Sequence, residues 1–189
     1  MKVNLSTPKI LAGLGSLFIV LSVIPSIGLL LGLVGLILLL VATHQYSKAL
    51  SDGEIFKKFL VGSILSLVGF VIALIFGVFG AIGGFIAGSG RGEALGIGIG
   101  IGFIISFLVA YAFIVYSFYL YKQSFSRIAS KIGHGLIGTA GTTLFIGSIL
   151  LIILVGGLVL LLGWILATVA FFTAPSEIEI IEAKSPETP

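Results

Sequence analysis

The sequence predicts an all-α polytopic membrane protein of about six transmembrane helices, with both ends of the chain cytoplasmic. Three observations carry that prediction. Residues 10–43, 59–87, 95–121 and 136–173 hold no Asp, Glu, Lys or Arg. Only 9% of the 189 residues are charged and 58% are hydrophobic, against roughly 25% charged in a soluble domain. The few charges gather on one side of the apolar runs. A charge at the bilayer centre is costly and a span needs roughly 20 apolar residues, so these runs read as membrane helices.

The first block, 10–43, is too long for one span and is interrupted by Ile24-Pro25-Ser26. Proline lacks a backbone donor and disfavours helix in the residue before it, so a turn is expected there. Thr7 suits an N-cap and Pro8 a first helical position, which puts the first span at about 9–24 and the second at about 27–43. The polar segment 44–58 follows, and its Ile55-Phe56 and Phe59-Leu60 edge, beside lysines, suits the membrane surface. A third span at about 59–80, continuing as far as Ala87, leads through the glycine-rich segment 88–93 to a fourth at about 95–121.

A second basic segment, from Lys122 through Arg127 and Lys131 to His134, precedes the last apolar block. Gly156-Gly157 is expected to divide that block into spans at about 138–155 and 158–173. Together, residues 1–175 form one helical membrane domain. Residues 176–189, rich in glutamate and proline, are expected to be a flexible cytoplasmic tail; docking of the stretch 177–182 on the basic loops is the alternative.

The first and last blocks look alike. Leu17-Phe18-Ile19 corresponds to Leu144-Phe145-Ile146, and Gly35-Leu-Ile-Leu-Leu-Leu-Val-Ala42 to Gly163-Trp-Ile-Leu-Ala-Thr-Val-Ala170. Those offsets are 127 and 128, so one residue must be inserted between them. Chance similarity between such strings is common, and an ancestral repeat stays open; a true repeat would be parallel, not inverted.

Loop charges set the orientation. With six spans, Lys2, Lys9, Lys48, Lys57, Lys58, Lys122, Arg127, Lys131 and Lys184 share one face, and only Arg91 lies opposite. The positive-inside rule makes that face cytoplasmic and the location the cell membrane. Lys2, Lys9, the apolar stretch and Ser26-Ile27-Gly28 also imitate a cleavable signal peptide, but a second apolar span follows at once, which favours a retained helix.

Composition narrows the chemistry. With no cysteine, disulfides, thiolate metal sites and cysteine nucleophiles are excluded. His44 and His134 sit apart at the cytoplasmic margin without a carboxylate cluster, so no metal or cofactor is expected. The net charge of +3 flanks apolar spans and makes no basic face for nucleic acid. Ser63, Ser66, Ser106, Thr139, Thr142, Thr143 and Ser148 lack an activating base and suit bonds to helix backbone, so the chain is read as no enzyme.

Two features remain. Gly80, Gly84, Gly88, Gly92, Gly96 and Gly100 recur every fourth position, joined by Gly98 and Gly102. Such a row suits close helix packing, which is preferred here over a pore-lining hairpin. The glycine string 96–102 lacks the Lys-Ser/Thr partner of a nucleotide loop. Tyr111, Tyr116, Tyr119 and Tyr121 crowd one half of the fourth span. Tyr119 and Tyr121 suit the interface, but Tyr111 lies deeper and needs a partner: a neighbouring helix, or a possible polar cavity.

The chain also carries Lys9-Ile-Leu-Ala-Gly-Leu-Gly15, Ile24-Pro25, Gly35-Leu-Ile-Leu38, Asp52 and Ile55-Phe56-Lys57. Further along come Tyr121-Lys-Gln-Ser-Phe-Ser-Arg-Ile-Ala-Ser-Lys131, Gly138-Thr-Ala-Gly141 and Ala170-Phe-Phe. In these it resembles a mainly archaeal family of multi-span membrane proteins, the domain-of-unknown-function family numbered nine-nine-six. The resemblance implies the topology and carries over no catalytic or ligand residue.

The expected role is a non-enzymatic structural or accessory membrane component. Its partners would be the lipid bilayer and, through the glycine faces, its own copies or a membrane protein. The alternative is a small transporter or channel for an uncharged or lipid-like solute. Ion coupling is disfavoured because the spans carry no acid.

Overall fold

The computed structural model describes the backbone of residues 2–88 and 93–179 and the side chains of 2–75, 77–78 and 104–179. Six α-helices dominate: α1 (Ser6–Leu21), α2 (Gly28–Ala49), α3 (Gly53–Gly88), α4 (Glu93–Ile132), α5 (Gly135–Leu150) and α6 (Val155–Thr173). Gly28–Ala49, Gly53–Ile75, Ile104–Ile132, Gly135–Ile153 and Val155–Thr173 are long and apolar enough to cross a membrane, while α1 has 16 residues. Large apolar side chains such as Leu29, Leu30, Leu74, Val78, Ile104 and Leu158 stay exposed, as they should where the solvent is lipid. This is an all-α polytopic membrane protein.

Each helix packs on the next in sequence, and α1 also packs on α6, so the six close into a ring. The hairpins differ in length. Helices α3 and α4 run for 36 and 40 residues, or roughly 54 and 60 Å at 1.5 Å per residue. The other helices have 16 to 22 residues, so the α3–α4 hairpin extends well past the turns of its neighbours.

Local chemistry accounts for several helix ends. Asn4 Oδ1 accepts from the Ser6 amide at 2.8 Å and from the Ser6 hydroxyl at 2.6 Å, so α1 begins at Ser6, ahead of the expected Thr7 cap. Pro8 is tolerated in the first turn, where no intrahelical donor is needed. Asp52 Oδ1 accepts from the Glu54 amide at 3.1 Å and supports the start of α3.

The α5–α6 break corrects the sequence reading. It falls not at Gly156-Gly157 but at a 3-10 turn, Leu151–Ile153, followed by Leu154 in the left-handed region at φ 64°. Gly156 is needed one turn later, because a Cβ there would lie 2.1 Å from the Leu151 nitrogen. The beginning of the tail is a second correction. Glu177–Glu179 (β2) pairs antiparallel with Lys2–Asn4 (β1) in the register Lys2–Glu179, Val3–Ile178, Asn4–Glu177. The alternation Glu-Ile-Glu suits this pairing, since Ile178 and Val3 pack on the core while the glutamates stay exposed. Residues 177–179 dock on the N-terminal strand; the rest of the expected tail, 180–189, lies outside the described residues.

Some buried positions recur between the two short hairpins. Ala12, Gly13, Gly28, Gly35, Leu39, Ala42 and Thr43 are buried in the first, and Ala140, Gly141, Gly156, Gly163, Ala167, Ala170 and Phe171 in the second. Every pair is separated by 128, as are the left-handed turn residues Ser26 and Leu154.

Candidate functional site

At the ring's centre, near the ends of α2, α4 and α6 and the start of α3, aromatic side chains fill the space between helices. Phe59 stacks on Tyr121 at 4.7 Å and on Phe125 at 6.1 Å, and Phe125 meets Phe171 edge-on at 5.3 Å. Tyr46 lies 6.1 Å from Phe171, and Tyr121 6.5 Å from the single tryptophan, Trp164. Phe59, Phe125, Phe171 and Tyr46 are fully buried.

Hydroxyls tie this layer to the backbone. The Ser117 hydroxyl donates to the Gly62 carbonyl and the Ser124 hydroxyl to the Ile55 carbonyl, each at 2.8 Å, joining α4 to α3. The Tyr121 hydroxyl donates to Ser63 Oγ at 3.3 Å. Ser63, Thr142, Thr143 and Ser148 donate to carbonyls of their own helices, and Thr139 does so to the Gly135 carbonyl. Only the Tyr46 hydroxyl, among the described residues, is buried without a protein partner.

Beyond the aromatic layer the charges collect at one end of the bundle. Arg127 pairs with Asp52 at 3.3 Å, and Glu54 with Lys57 at 3.5 Å and Lys58 at 3.9 Å. Lys58 also bonds Gln123 Oε1, and the Lys131 ammonium reaches the Leu50 carbonyl at 3.4 Å. His44 meets Phe56 edge-on at 4.8 Å, while His134 contacts Thr173 Oγ1 at 3.2 Å. No group of three or more His, Asp or Glu side chains gathers as a metal site among the described residues.

Tyr111 donates its hydroxyl to the Ile149 carbonyl at 2.6 Å. That carbonyl lies in the last turn of α5, where helix acceptors lose their usual partners, so α4 caps α5 from outside. Beside the bond lies an open groove of about 470 Å³, lined by Tyr111, Ala112, Val115, Tyr116 and Tyr119 of α4 with Phe145 and Ile149 of α5. Its lining is almost wholly carbon, so Tyr111 fastens two helices beside an apolar groove. Tyr111→Phe should lower stability by about 1 kcal/mol, read as a thermal shift in detergent; an unchanged melt would show the bond to be idle.

Gly80, Gly84, Gly88, Gly96 and Gly100 lie in the stretches of α3 and α4 whose surroundings are outside the described residues, and Gly92 is outside them altogether. The described α3–α4 contact uses glycines that sequence reasoning passed over. A Cβ on Gly62 would lie 3.0 Å from the Ser117 carbonyl oxygen, and one on Gly69 3.3 Å from that of Ala110. Their seven-residue spacing on one apolar helix was the available signal.

A family model described as "Protein of unknown function (DUF996)" matches residues 31–165, from within α2 into α6. The chain belongs to the DUF996 family. It is also 29% identical over 178 residues to an uncharacterized protein of Methanocaldococcus jannaschii, MJ1644, covering 94% of this chain and 97% of that one. No solved structure matches it. The DUF996 match takes in the aromatic layer apart from Phe171, the Tyr111 bond and the α4–α5 groove.

Proposed function

We propose that this DUF996 protein is a non-enzymatic structural or accessory component of the cell membrane. All six helices span, and both chain ends face the cytoplasm. The observation that carries the reading is the long α3–α4 hairpin. Beyond Gly69 its apolar side chains stay exposed on several sides: Phe70, Val71, Leu74, Ile75 and Val78 of α3, with Ile104, Ile105 and Phe107 of α4. A hairpin that outruns the rest of its ring has side surface free for helices of another copy or another membrane protein. The hydroxyl ties support the same view, since Ser117, Ser124, Tyr121 and Tyr111 spend their polarity joining helices. The charged end, rich in lysine, supports the orientation.

Native mass spectrometry of the protein extracted gently from its own membrane tests the proposal. The expected result is a stoichiometric complex, either a homo-oligomer or one with a second protein, that Gly84→Leu with Gly96→Leu disperses. A monomer under the mildest extraction, or a complex indifferent to both changes, would overturn it.

A second reading, a small transporter or channel for an uncharged or lipid-like solute, rests on Tyr46. Its buried hydroxyl has no protein partner in the ring's interior, and such a group can hydrogen-bond a passing polar solute. Reconstituted liposomes that gain no permeability across a panel of neutral solutes would remove this reading.

A further inference from the structure

Near the apolar groove beside Tyr111 lies a second depression on α4, and Tyr119 lines both. The second, of about 480 Å³, is lined by Lys122, Gln123, Ser126, Arg127 and Ser130 in addition to Tyr119. Ala112, Val115, Tyr119, Lys122, Ser126 and Ser130 follow one another at three- and four-residue steps, so they form one stripe of the helix. From Tyr111 to Ser130 the stripe runs roughly 28 Å. It is carbon-lined at one end and cationic at the other.

The cationic end is built from donors. No carboxylate lines it. Lys122, which lines this depression, holds its ammonium 5.2 Å above the ring of Phe145, which lines the apolar groove. Arg127 gives one guanidinium nitrogen to Asp52 at 3.3 Å, and the rest of that fork stays available. The Gln123 carbonyl oxygen is taken up by Lys58, which leaves its NH2 group as a donor. The Ser130 hydroxyl is committed to the Arg127 carbonyl at 3.0 Å.

We propose that these two adjoining depressions bind one anionic phospholipid. The headgroup phosphate sits at Lys122 and Arg127, with the Gln123 amide beside it. One hydrocarbon chain lies along Val115 and Ile149 toward Tyr111. Basic clefts between helices at the membrane edge attract anionic headgroups, and a carbon-lined groove beside them favours a lipid over a free anion.

The test is native mass spectrometry of the full chain in detergent, titrated separately with dioleoylphosphatidylglycerol and dioleoylphosphatidylcholine. The first should bind roughly tenfold tighter, because Lys122 and Arg127 attract the anionic headgroup. Lys122→Gln, which removes a cation with no carboxylate partner among the described residues, should erase most of that preference, and Lys122→Gln with Arg127→Gln all of it. Lys57→Gln, on the same end but outside the groove, should leave it intact. Ala112→Trp, filling the groove from an exposed position, should weaken retention of both lipids. Equal affinity for the two lipids, an undiminished preference in the double variant, or displacement of phosphatidylglycerol by millimolar inorganic phosphate would each overturn the proposal.

Discussion

Gly35→Leu is expected to lower stability by about 3 kcal/mol or more, a fall of roughly 10 °C in the thermal midpoint followed through Trp164 fluorescence. The reason is reciprocal contact between two backbones. A Cβ on Gly35 would lie 2.7 Å from the Gly15 carbonyl oxygen and 3.0 Å from the Ile19 nitrogen, while one on Gly15 would lie 2.8 Å from the Gly35 carbonyl oxygen. No rotamer relieves a clash with backbone, so α1 and α2 must separate along their length. Gly163→Leu tests the same place in the second hairpin and should cost less. There the nearest atoms, at 2.7 and 2.9 Å, belong to the Leu144 side chain, which can turn aside. Gly157→Leu, with no neighbouring atom within 4 Å, is the control and should melt as wild type. If Gly35→Leu also melted as wild type, the α1–α2 contact described here would be wrong.

Phe125→Ala should cost about 4 kcal/mol. Its fully buried ring touches Phe59 of α3 and Phe171 of α6 from its place on α4, so one truncation opens a cavity shared by three helices. The loss appears in the same fluorescence melt. A wild-type midpoint would mean that the layer is not packed as described. The variant also separates the two functional readings. A scaffold with one ring removed stays impermeable to neutral solutes in liposomes. A pathway closed by that ring becomes leaky.

Some of this molecule was legible in its residues and some was not, and the division follows distance along the chain. The turn at Pro25 and the hairpin near Ser51-Asp52 declare themselves in a few consecutive residues, because backbone chemistry acts locally. The α5–α6 break was placed too late because Gly156-Gly157 looked like the breaker. In fact the left-handed residue is Leu154, and the glycine serves a close approach to the preceding turn. Nothing local marks a leucine for that role. Ser26, the left-handed residue of the first short hairpin, lies in a recognisable Pro-Ser turn.

The candidate sites divide the same way. That Tyr111 needed a partner followed from its depth in an apolar span, but Ile149 lies 38 residues away and could not be named. Lys122 and Arg127 were visible only as basic residues at a helix end. Their place on one stripe with an apolar groove depends on α5 supplying Phe145 and Ile149.

The sequence by itself determined the solvent and the helical class. Charge-free runs cannot be soluble, and in hydrocarbon a run must satisfy its own backbone bonds, so each becomes a helix. Only the tertiary structure decided which faces meet, how α1 closes the ring on α6, and how the tail strand reaches Lys2. The physical reason is that lipid is as apolar as leucine. Hydrophobicity therefore cannot choose between the faces of such helices, and the choice passes to steric fit at glycines such as Gly15 and Gly35 and to single hydroxyl bonds between helices.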